Sequence, residues 1–359
     1  MKTLLFLALL LLSFDALTEP VKYADSSMIE SATFGEPRQI MIALPDSYMN
    51  DSGSLYPVIY VVRGQSDMLG VVAAIDMLAA EVPEFVVVGI SGIGHEFIPA
   101  KNGEQSKFSK LLHNEVVPHI QKNYRTAPYS ILVGHSAAGK FVSNDWLDRG
   151  SDFSSYYAVS PELHDGAINS RLRSLQQRSV SLKSPLLISM GNEDKRMRSM
   201  FDELESLSSS NTSLNSKVNF IRFEDHTHMS GRVNTVMAGL RNSFNNWRPS
   251  RKIESGKFEK LQAHYLKLGE RYGYEVAIPL DTMTRQSAFH SASDSAERWQ
   301  IASDIVKYSI TKTPNSVNDF FDIAEEMVGY GMQDGSKRLI SFICEHSTDD
   351  SRCSNQKSH

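Results

Sequence analysis

The sequence predicts an α/β protein with a mostly parallel sheet, followed by a smaller helical region. Between residues 19 and 248, short β-branched apolar runs alternate with segments of helical spacing. This alternation is the pattern of a parallel sheet that helices cover on both faces. From residue 249 to residue 346 only helical spacing remains, which predicts an all-helical extension.

Seven apolar runs predict the strands, and most are continuously apolar, which suits strands buried on both faces. They cover residues 38–44, 58–62, 83–90, 129–133, 155–159, 185–190 and 218–223. Helical spacing predicts helices at 68–80, 108–124 and 233–244. In an open sheet of this kind, reactive groups lie on loops beyond the carboxyl ends of the strands.

The extension is predicted from four further segments of helical spacing. They cover residues 258–272, 295–310, 317–329 and 336–342. We expect α-hairpins that resemble a degenerate pair of tetratricopeptide-type repeats, without a clean repeat period. These hairpins would offer a surface for a protein partner. Residues 347–359 are polar and are predicted to be disordered.

The N-terminus has the features of an export signal. Lys2 precedes a leucine-rich run over residues 3–12, which is the order of a secretory signal peptide and is too short to span a bilayer. We therefore expect residues 1–18 to be a signal peptide and the protein to be periplasmic or secreted, without stable membrane insertion. Disulfides are permitted in those compartments, but the sequence leaves open whether Cys344 and Cys353 pair.

Composition argues against several classes of function. The chain of 359 residues is 41% hydrophobic, which is ordinary for a globular protein. Its net charge of −5 and pI near 6.1 do not indicate a surface for nucleic acid. No spacing of histidines and carboxylates indicates a metal site, and no cofactor is predicted.

The central motif is YSILVGHSAAGKF, residues 129–141. A strand-type run ends at Gly134, small residues surround Ser136, and a helical segment follows. A strand that turns sharply into a helix with a serine at its apex is a nucleophile elbow, which needs small neighbours because the turn is crowded. Ala138 stands where the motif usually has glycine, and the glycine is displaced to Gly139.

Two other interpretations of this motif stay open at this stage. Gly134, Gly139 and Lys140 also match most of a phosphate-binding P-loop. That motif needs serine or threonine after the lysine to bind magnesium, whereas this chain has Phe141, and an exported protein meets little ATP. The third interpretation is an ordinary tight turn without chemistry.

Two later loops supply candidates for the rest of a catalytic triad. A nucleophilic serine needs a base that takes its proton, and the base needs a carboxylate that orients it. In α/β-hydrolases the order along the chain is serine, acid, histidine. The loops after the strands at 185–190 and 218–223 follow Ser136 in that order. Their candidate acids and bases are Glu193, Asp194, His226 and His228.

Several segments together resemble the esterases of the esterase D and enterochelin esterase type, within the α/β-hydrolase fold. FGEPRQIMIALPDSY is similar to the family's N-terminal strand signature, and YPVIYVVRGQS to its YPVLYVLDG segment. GHSAAG resembles its GHSxGG elbow, FSSYYAVSPEL its FxxYxAxSPSL segment, and EDHTHMSG its ExHGSV histidine loop. The resemblance covers residues 31–247. It implies an α/β-hydrolase fold and a serine esterase activity.

The resemblance also implies a role for each triad candidate. Ser136 matches the nucleophile. His228 matches the base, with His226 as the alternative. Glu193 matches the acid, with Asp194 as the alternative.

An oxyanion hole needs two backbone N–H donors that point at the developing charge. Ala137, directly after the nucleophile, would supply one, and the resemblance places the other at Gln65. The chain departs from the family nearby, because Arg63 replaces an aspartate. It departs again at residues 91–100, a stretch that includes Glu96 and in which relatives typically carry an arginine.

The sequence therefore predicts a secreted serine hydrolase that cleaves a carboxylic ester or thioester of a small molecule. The alternative is a catalytically weak or inactive binding or scaffold protein that keeps the fold and uses the helical extension. A P-loop nucleotide binder is a remote third. The sequence leaves open the identity of the acyl group and of the leaving group. It also leaves open whether the acyl acceptor is water, and the oligomeric state.

Overall fold

The computed structural model describes residues 22–49, 53–99, 104–176, 183–347 and 352–353. The predicted signal peptide, residues 1–18, lies outside the described residues. Of the predicted tail at 347–359, only residues 347, 352 and 353 are described.

The described strands form one eight-stranded sheet. They are β1 (Asp25–Ile29), β2 (Arg38–Ala43), β3 (Tyr56–Val62), β4 (Val86–Ile90), β5 (Thr126–His135), β6 (Ser155–Val159), β7 (Leu186–Met190) and β8 (Val218–Arg222). Their order across the sheet is β1-β2-β4-β3-β5-β6-β7-β8. β1 and β2 run antiparallel at one edge, and β3 to β8 pair in parallel. The loops that follow β3 to β8 therefore lie along one edge of the sheet.

Helices cover both faces of this sheet. Up to β8 they are α1 (Gly64–Leu78), α2 (Lys107–Leu111), α3 (Val117–Asn123), α4 (Ala137–Arg149), α5 (Ala167–Gln176), α6 (Lys195–Ser209) and α7 (Thr212–Asn215). A π-helical turn, Leu112–Val116, joins α2 to α3. After β8 come α8 (Arg232–Ser243), α9 (Arg251–Glu254), α10 (Phe258–Tyr272), α11 (Leu280–Ser291), α12 (Ala296–Lys312), α13 (Val317–Gly329) and α14 (Gln333–His346). This architecture confirms the predicted α/β-hydrolase fold with a helical region after it. None of the described helices combines the length and the apolar character that a bilayer span requires.

Alternation along the central strands sends side chains into two apolar cores. On β3, Val58, Tyr60 and Val62 join the core that α2 to α6 cover, whereas Ile59 and Val61 join the core on the opposite face. Every residue of β3 is buried, as expected for a strand with helices on both sides. The continuous apolar run that predicts this strand therefore has a direct structural cause.

The helical extension shares the second core with the sheet. At the end of α10, the Tyr272 ring centroid lies 5.0 Å from that of Phe244 and 5.4 Å from that of Tyr129 on β5. The Tyr272 hydroxyl donates to the carbonyl oxygen of Ser243 at 3.0 Å. This packing crosses the predicted domain boundary between residues 248 and 249. Within the extension, α11 packs on α12, and α13 packs on α14.

A disulfide joins the end of the extension to the residues beyond it. Cys344 on α14 is bonded to Cys353, with their Cα atoms 5.3 Å apart. Cys353 is buried. The sequence leaves this pairing open and assigns Cys353 to a disordered tail, whereas the structure anchors this residue to α14.

Candidate active site

Ser136 lies at the carboxyl edge of the sheet, between β5 and α4. Its backbone has φ +59° and ψ −121°, a conformation that costs a non-glycine residue on the order of 1–3 kcal/mol. Neighbouring backbone holds it there. The Ser136 N–H donates to the oxygen of Val159 at 3.0 Å, and the Ser136 oxygen accepts from the N–H groups of Lys140 and Glu162 at 2.9 and 3.1 Å. A strained serine fixed between a strand and a helix is the geometry of a nucleophile elbow.

Two glycines give this turn the space that it needs. A Cβ on Gly134 would lie 2.6 Å from the Ala138 oxygen, and a Cβ on Gly139 would lie 2.9 Å from the Val159 oxygen. Ala138 is fully buried, and the Cβ that Gly134 lacks would lie 3.0 Å from the Ala138 Cβ. The methyl group at Ala138 is therefore accommodated because Gly134 has no side chain.

Lys140 is engaged by two carboxylates. Its Nζ lies 2.8 Å from Glu162 Oε2 and 2.5 Å from Asp165 Oδ2. The lysine of a P-loop must instead reach the phosphates of a nucleotide. With the strained backbone at Ser136, this pairing favours the elbow over the phosphate loop.

The loops after β7 and β8 pack together and bring Glu193 to His228. Gly191 permits the contact, because a Cβ there would lie 2.7 Å from the His226 oxygen. The Asn192 N–H donates to the same oxygen at 2.5 Å. Glu193 Oε1 accepts from His228 Nδ1 at 2.8 Å, and the Glu193 side chain is only 9% exposed. Because a carboxylate only accepts, His228 carries its proton on Nδ1 and keeps Nε2 free to act as a base.

Asp194, the alternative acid, is engaged at the start of α6. Its Oδ1 accepts from the N–H groups of Arg196 and Met197 at 2.8 and 3.0 Å, which is an N-cap. Its Oδ2 accepts from His164 Nε2 at 2.7 Å. The N–H of Met197 and the His164 ring hold the pKa of Asp194 below its usual value, and the hydrogen bond to Asp194 raises the pKa of His164. Both oxygens of Asp194 therefore serve other partners.

His226, the alternative base, also bonds elsewhere. Its Nδ1 lies 3.3 Å from Ser230 Oγ, and its Nε2 accepts from Asn234 Nδ2 at 2.8 Å. Among the described residues, the histidine that pairs with the acid-loop glutamate is His228.

His135 links the elbow to the histidine loop, a contact that the sequence does not predict. Its Nε2–H donates to the His228 carbonyl oxygen at 2.9 Å, and the two ring centroids lie 4.6 Å apart. Burial lowers the pKa of His135, which favours the neutral ring. Since His135 directly precedes Ser136, this bond holds His228 beside the elbow. No hydrogen bond joins the Ser136 hydroxyl to His228 among the described contacts, and such bonds often tighten only when substrate binds.

An ion pair ties α1 to the start of α8. Arg232 Nη1 lies 2.6 Å from Asp67 Oδ1, and the Asp67 side chain is 9% exposed. Arg232 Nε also donates to the Met229 oxygen at 2.9 Å. The pair spans 165 positions, so nothing local in the sequence indicates it. The ion pair holds α1, whose first turn contains Gln65, against the loop that carries His228.

The predicted oxyanion donors lie in the first turns of α1 and α4. These helices follow β3 and β5, which are neighbours with Val61 opposite Val133, so the two helix N-termini lie at the same edge. First-turn N–H groups have no partner inside the helix and favour negative charge nearby. Arg63, at the N-cap of α1, has φ +62°. The arginine at this position, where the family has aspartate, changes a side chain and leaves the backbone N–H of Gln65 in place. The geometry is suited to an oxyanion held by Ala137 and Gln65.

The Gln65 side chain anchors this donor to the loop after β4. Its Nε2 donates to the Gly92 oxygen at 2.8 Å, and its Oε1 accepts from the Gly92 N–H at 3.4 Å. That loop is held in turn by a buried ion pair, with Arg38 Nη2 2.9 Å from Glu96 Oε2. Glu96 also accepts from the Ile93 N–H at 3.0 Å. The structure thus gives Glu96 a role in holding the loop.

We expect Gln65→Ala to lower kcat for ester hydrolysis about tenfold while KM changes little. The backbone donor stays but loses its anchor, so the loss should be smaller than the roughly 10²- to 10³-fold cost of removing an oxyanion donor. Steady-state kinetics on p-nitrophenyl acetate measure both constants. Gln333→Ala, at an exposed position on α14, is the matched control. A kcat for Gln65→Ala within twofold of the control would show that the side chain does not position the donor.

Comparisons with known proteins bear on this site. Residues 31–250 match the family described as "Putative esterase", and no curated protein matches the chain. An IroE-like serine hydrolase from Shewanella oneidensis is similar in structure, with 19% identity, a TM-score of 0.62 and coverage of 79% of this chain and 99% of that one. Siderophore hydrolase EstB from Aspergillus nidulans has 16% identity, a TM-score of 0.54 and coverage of 65% and 98%. An uncharacterised protein from Capnocytophaga ochracea has 16% identity and a TM-score of 0.56, and the match covers 92% of this chain and 91% of that one.

The similar solved structures support a statement about the fold, whereas the family match supports a statement about family membership. At 16–19% identity, the solved structures are evidence of the shared fold. The family match spans more than half of the chain and confirms the resemblance inferred from the motifs. The chain therefore belongs to this esterase family, for which hydrolysis of a carboxylic ester is the activity that the family name describes.

Proposed function

We propose that the protein is a secreted serine esterase that works through an acyl-enzyme intermediate. The observation that carries the proposal is a strained serine at an elbow, with a glutamate and histidine pair on two later loops at the same edge of the sheet. Ser136 has φ +59°, and Glu193 and His228 are 2.8 Å apart. His135, next to Ser136, donates a hydrogen bond to the backbone of His228 and so joins the elbow to the histidine loop. A serine, a base and an orienting acid are the parts that acyl transfer requires.

In the first half-reaction, Ser136 Oγ attacks the ester carbonyl carbon while His228 Nε2 takes the hydroxyl proton. The negative charge moves to the carbonyl oxygen, where the N–H groups of Ala137 and Gln65 stabilise it. His228 then returns the proton to the leaving oxygen as the bond between carbon and that oxygen breaks. The products are the free alcohol and an acyl group on Ser136.

In the second half-reaction, water takes the place of the alcohol. His228 Nε2 removes a proton from the water as its oxygen attacks the acyl carbon, and the same N–H groups hold the oxyanion. Collapse breaks the bond to Ser136 Oγ, which regains its proton from His228. Throughout, Glu193 keeps the ring oriented and stabilises its positive charge.

We propose a small-molecule carboxylic ester as the substrate, with thioesters as a secondary class. Similar structures carry the names siderophore hydrolase and enterochelin esterase. Another is named as a ferulic acid esterase. These names describe ester cleavage in those proteins, and they support oxygen esters ahead of thioesters here.

Export is part of the proposal. The leucine-rich leader at residues 3–12 supports it, and so does the disulfide between Cys344 and Cys353, because structural disulfides persist in oxidising compartments. N-terminal sequencing of the protein recovered from the periplasm or medium should find a chain that begins close to residue 19.

Labelling with a biotinylated fluorophosphonate tests the proposal, because the reagent reacts only with an activated serine. We expect one covalent adduct, and peptide mapping by mass spectrometry should place it on Ser136. His228→Ala should be labelled far more slowly, whereas Ser170→Ala, at an exposed serine on α5, should be labelled like the parent. A folded protein without an adduct on Ser136 would favour the scaffold alternative.

A further inference from the structure

A cavity opens at the edge of the sheet opposite to Ser136. Its volume is about 370 Å³, which lies within the range of pockets that hold small ligands. It lies at the amino ends of β3 and β5, where the strands lose their regular pairing. Tyr56 is opposite Thr126 but Val58 is opposite Ser130, so β5 carries two extra residues. At roughly 3.3 Å per residue, Ser130 is about 20 Å from Ser136 along the strand.

The inner wall of this cavity is aromatic and buried. Tyr60 and Phe153 line it, with ring centroids 5.6 Å apart, and both are no more than 2% exposed. His113 lines it beside Phe153, at 5.5 Å between ring centroids. His113 stands on the π-helical turn between α2 and α3, and π-helical turns are frequent at functional sites.

Several polar side chains that line this cavity have no described hydrogen bond to another side chain. Tyr60 lines the cavity and is 1% exposed, and no hydrogen bond of its hydroxyl is among the described contacts. Four more polar side chains without described side-chain partners line the cavity: Asn114, Gln121, Thr126 and Ser130. Together they present both donors and acceptors.

The charged groups that line the cavity are already paired with other charged groups. Arg149 Nη1 lies 3.0 Å from Asp152 Oδ2. His113 lies between two carboxylates, with its Nε2 2.8 Å from Asp145 Oδ1 and its Nδ1 3.5 Å from Asp152 Oδ2. A charged ligand would have to compete with these pairs. Neutral hydroxyl groups, which donate and accept, match the unpaired groups instead.

We propose that this cavity is a second binding site, separate from Ser136, for an uncharged polyhydroxyl molecule the size of a monosaccharide. The apolar C–H face of the ligand packs on Phe153 and the Tyr60 ring. Its hydroxyls bond to the Tyr60 hydroxyl and to the side chain of Gln121 at the rim. The site makes no use of the esterase machinery, so it stands whether or not the protein hydrolyses esters.

Calorimetric titration of the full chain against a defined panel tests this site. The panel contains glucose, mannose, galactose, arabinose and myo-inositol, with inorganic phosphate and ethanolamine as charged comparisons. We expect at least one neutral member to bind with a Kd below about 10 mM. Tyr60→Phe and Gln121→Ala should each weaken that binding, roughly tenfold for the loss of one hydrogen bond to the ligand.

Two further variants distinguish binding in this cavity from binding at Ser136 and from a general effect of losing a surface side chain. Ser136→Ala should bind the same ligand with unchanged affinity, because the cavity lies at the opposite edge of the sheet. Gln333→Ala controls for loss of a surface glutamine, and thermal melts confirm that Tyr60→Phe is folded. The proposal is overturned if no neutral member binds, if phosphate or ethanolamine binds more tightly than every sugar, or if folded Tyr60→Phe and Gln121→Ala bind like the parent.

Discussion

Ser136→Ala should lower kcat/KM for p-nitrophenyl acetate by roughly 10⁴- to 10⁶-fold, as expected when the nucleophile of a triad is removed. The residual rate would come from the oxyanion donors and from substrate binding. The change should leave the fold intact, because the backbone groups of Ser136 make the hydrogen bonds that hold the elbow. Spectrophotometric release of p-nitrophenol gives the rate, and circular dichroism with a thermal melt gives the fold.

Ser170→Ala is the matched control for this variant, since it removes a serine hydroxyl from an exposed helix position. It should hydrolyse the ester at the parent rate. If folded Ser136→Ala kept more than a tenth of the parent activity, Ser136 would not be the nucleophile and the proposed mechanism would fail.

Glu193→Gln should lower kcat by about 10²- to 10⁴-fold, because the amide cannot stabilise the imidazolium and can hold the wrong tautomer of His228. The neighbouring Asp194→Ala should keep kcat within about threefold of the parent, because the Asp194 carboxylate caps α6 rather than contacting His228. Asp194→Ala should instead lower the melting temperature. The two variants change adjacent residues and so control for each other.

Steady-state kinetics and thermal melts on both variants decide between the two acids. A large loss of kcat in Asp194→Ala with little loss in Glu193→Gln would reverse the assignment. Equal small losses in both would mean that neither carboxylate orients the base.

The centre of the parallel sheet could be predicted because β3, β4, β6 and β7 are buried at every residue and are therefore mostly apolar. β1 could not, since four of the five residues of Asp25–Ile29 are exposed and the segment has no apolar pattern. α11 also escaped prediction, for a different reason. Several of its buried residues are small and polar, including Thr282, Thr284 and Ser287, so hydrophobic periodicity does not mark its inner face.

The triad candidates could be proposed from sequence because each directly follows a recognisable strand. The choice between Glu193 and Asp194 could not be made that way, since both follow β7. It depends on which carboxylate begins α6, and that is a matter of helix capping in three dimensions. The contacts of His135, and the Asp67–Arg232 pair, join segments 93 and 165 positions apart. Contacts of that span leave no local signature in a single sequence.

The stacking of Tyr272 on Phe244, next to Tyr129, has a consequence for how the molecule unfolds. Tyr129 belongs to the same strand that ends at the nucleophile, so α10 packs on the strand that carries the elbow. A chain cut at residue 249 would leave these aromatic rings without part of their cover. The esterase part and the extension should therefore unfold in one cooperative transition, and the helical region is better regarded as the outer half of a common core than as a detachable module.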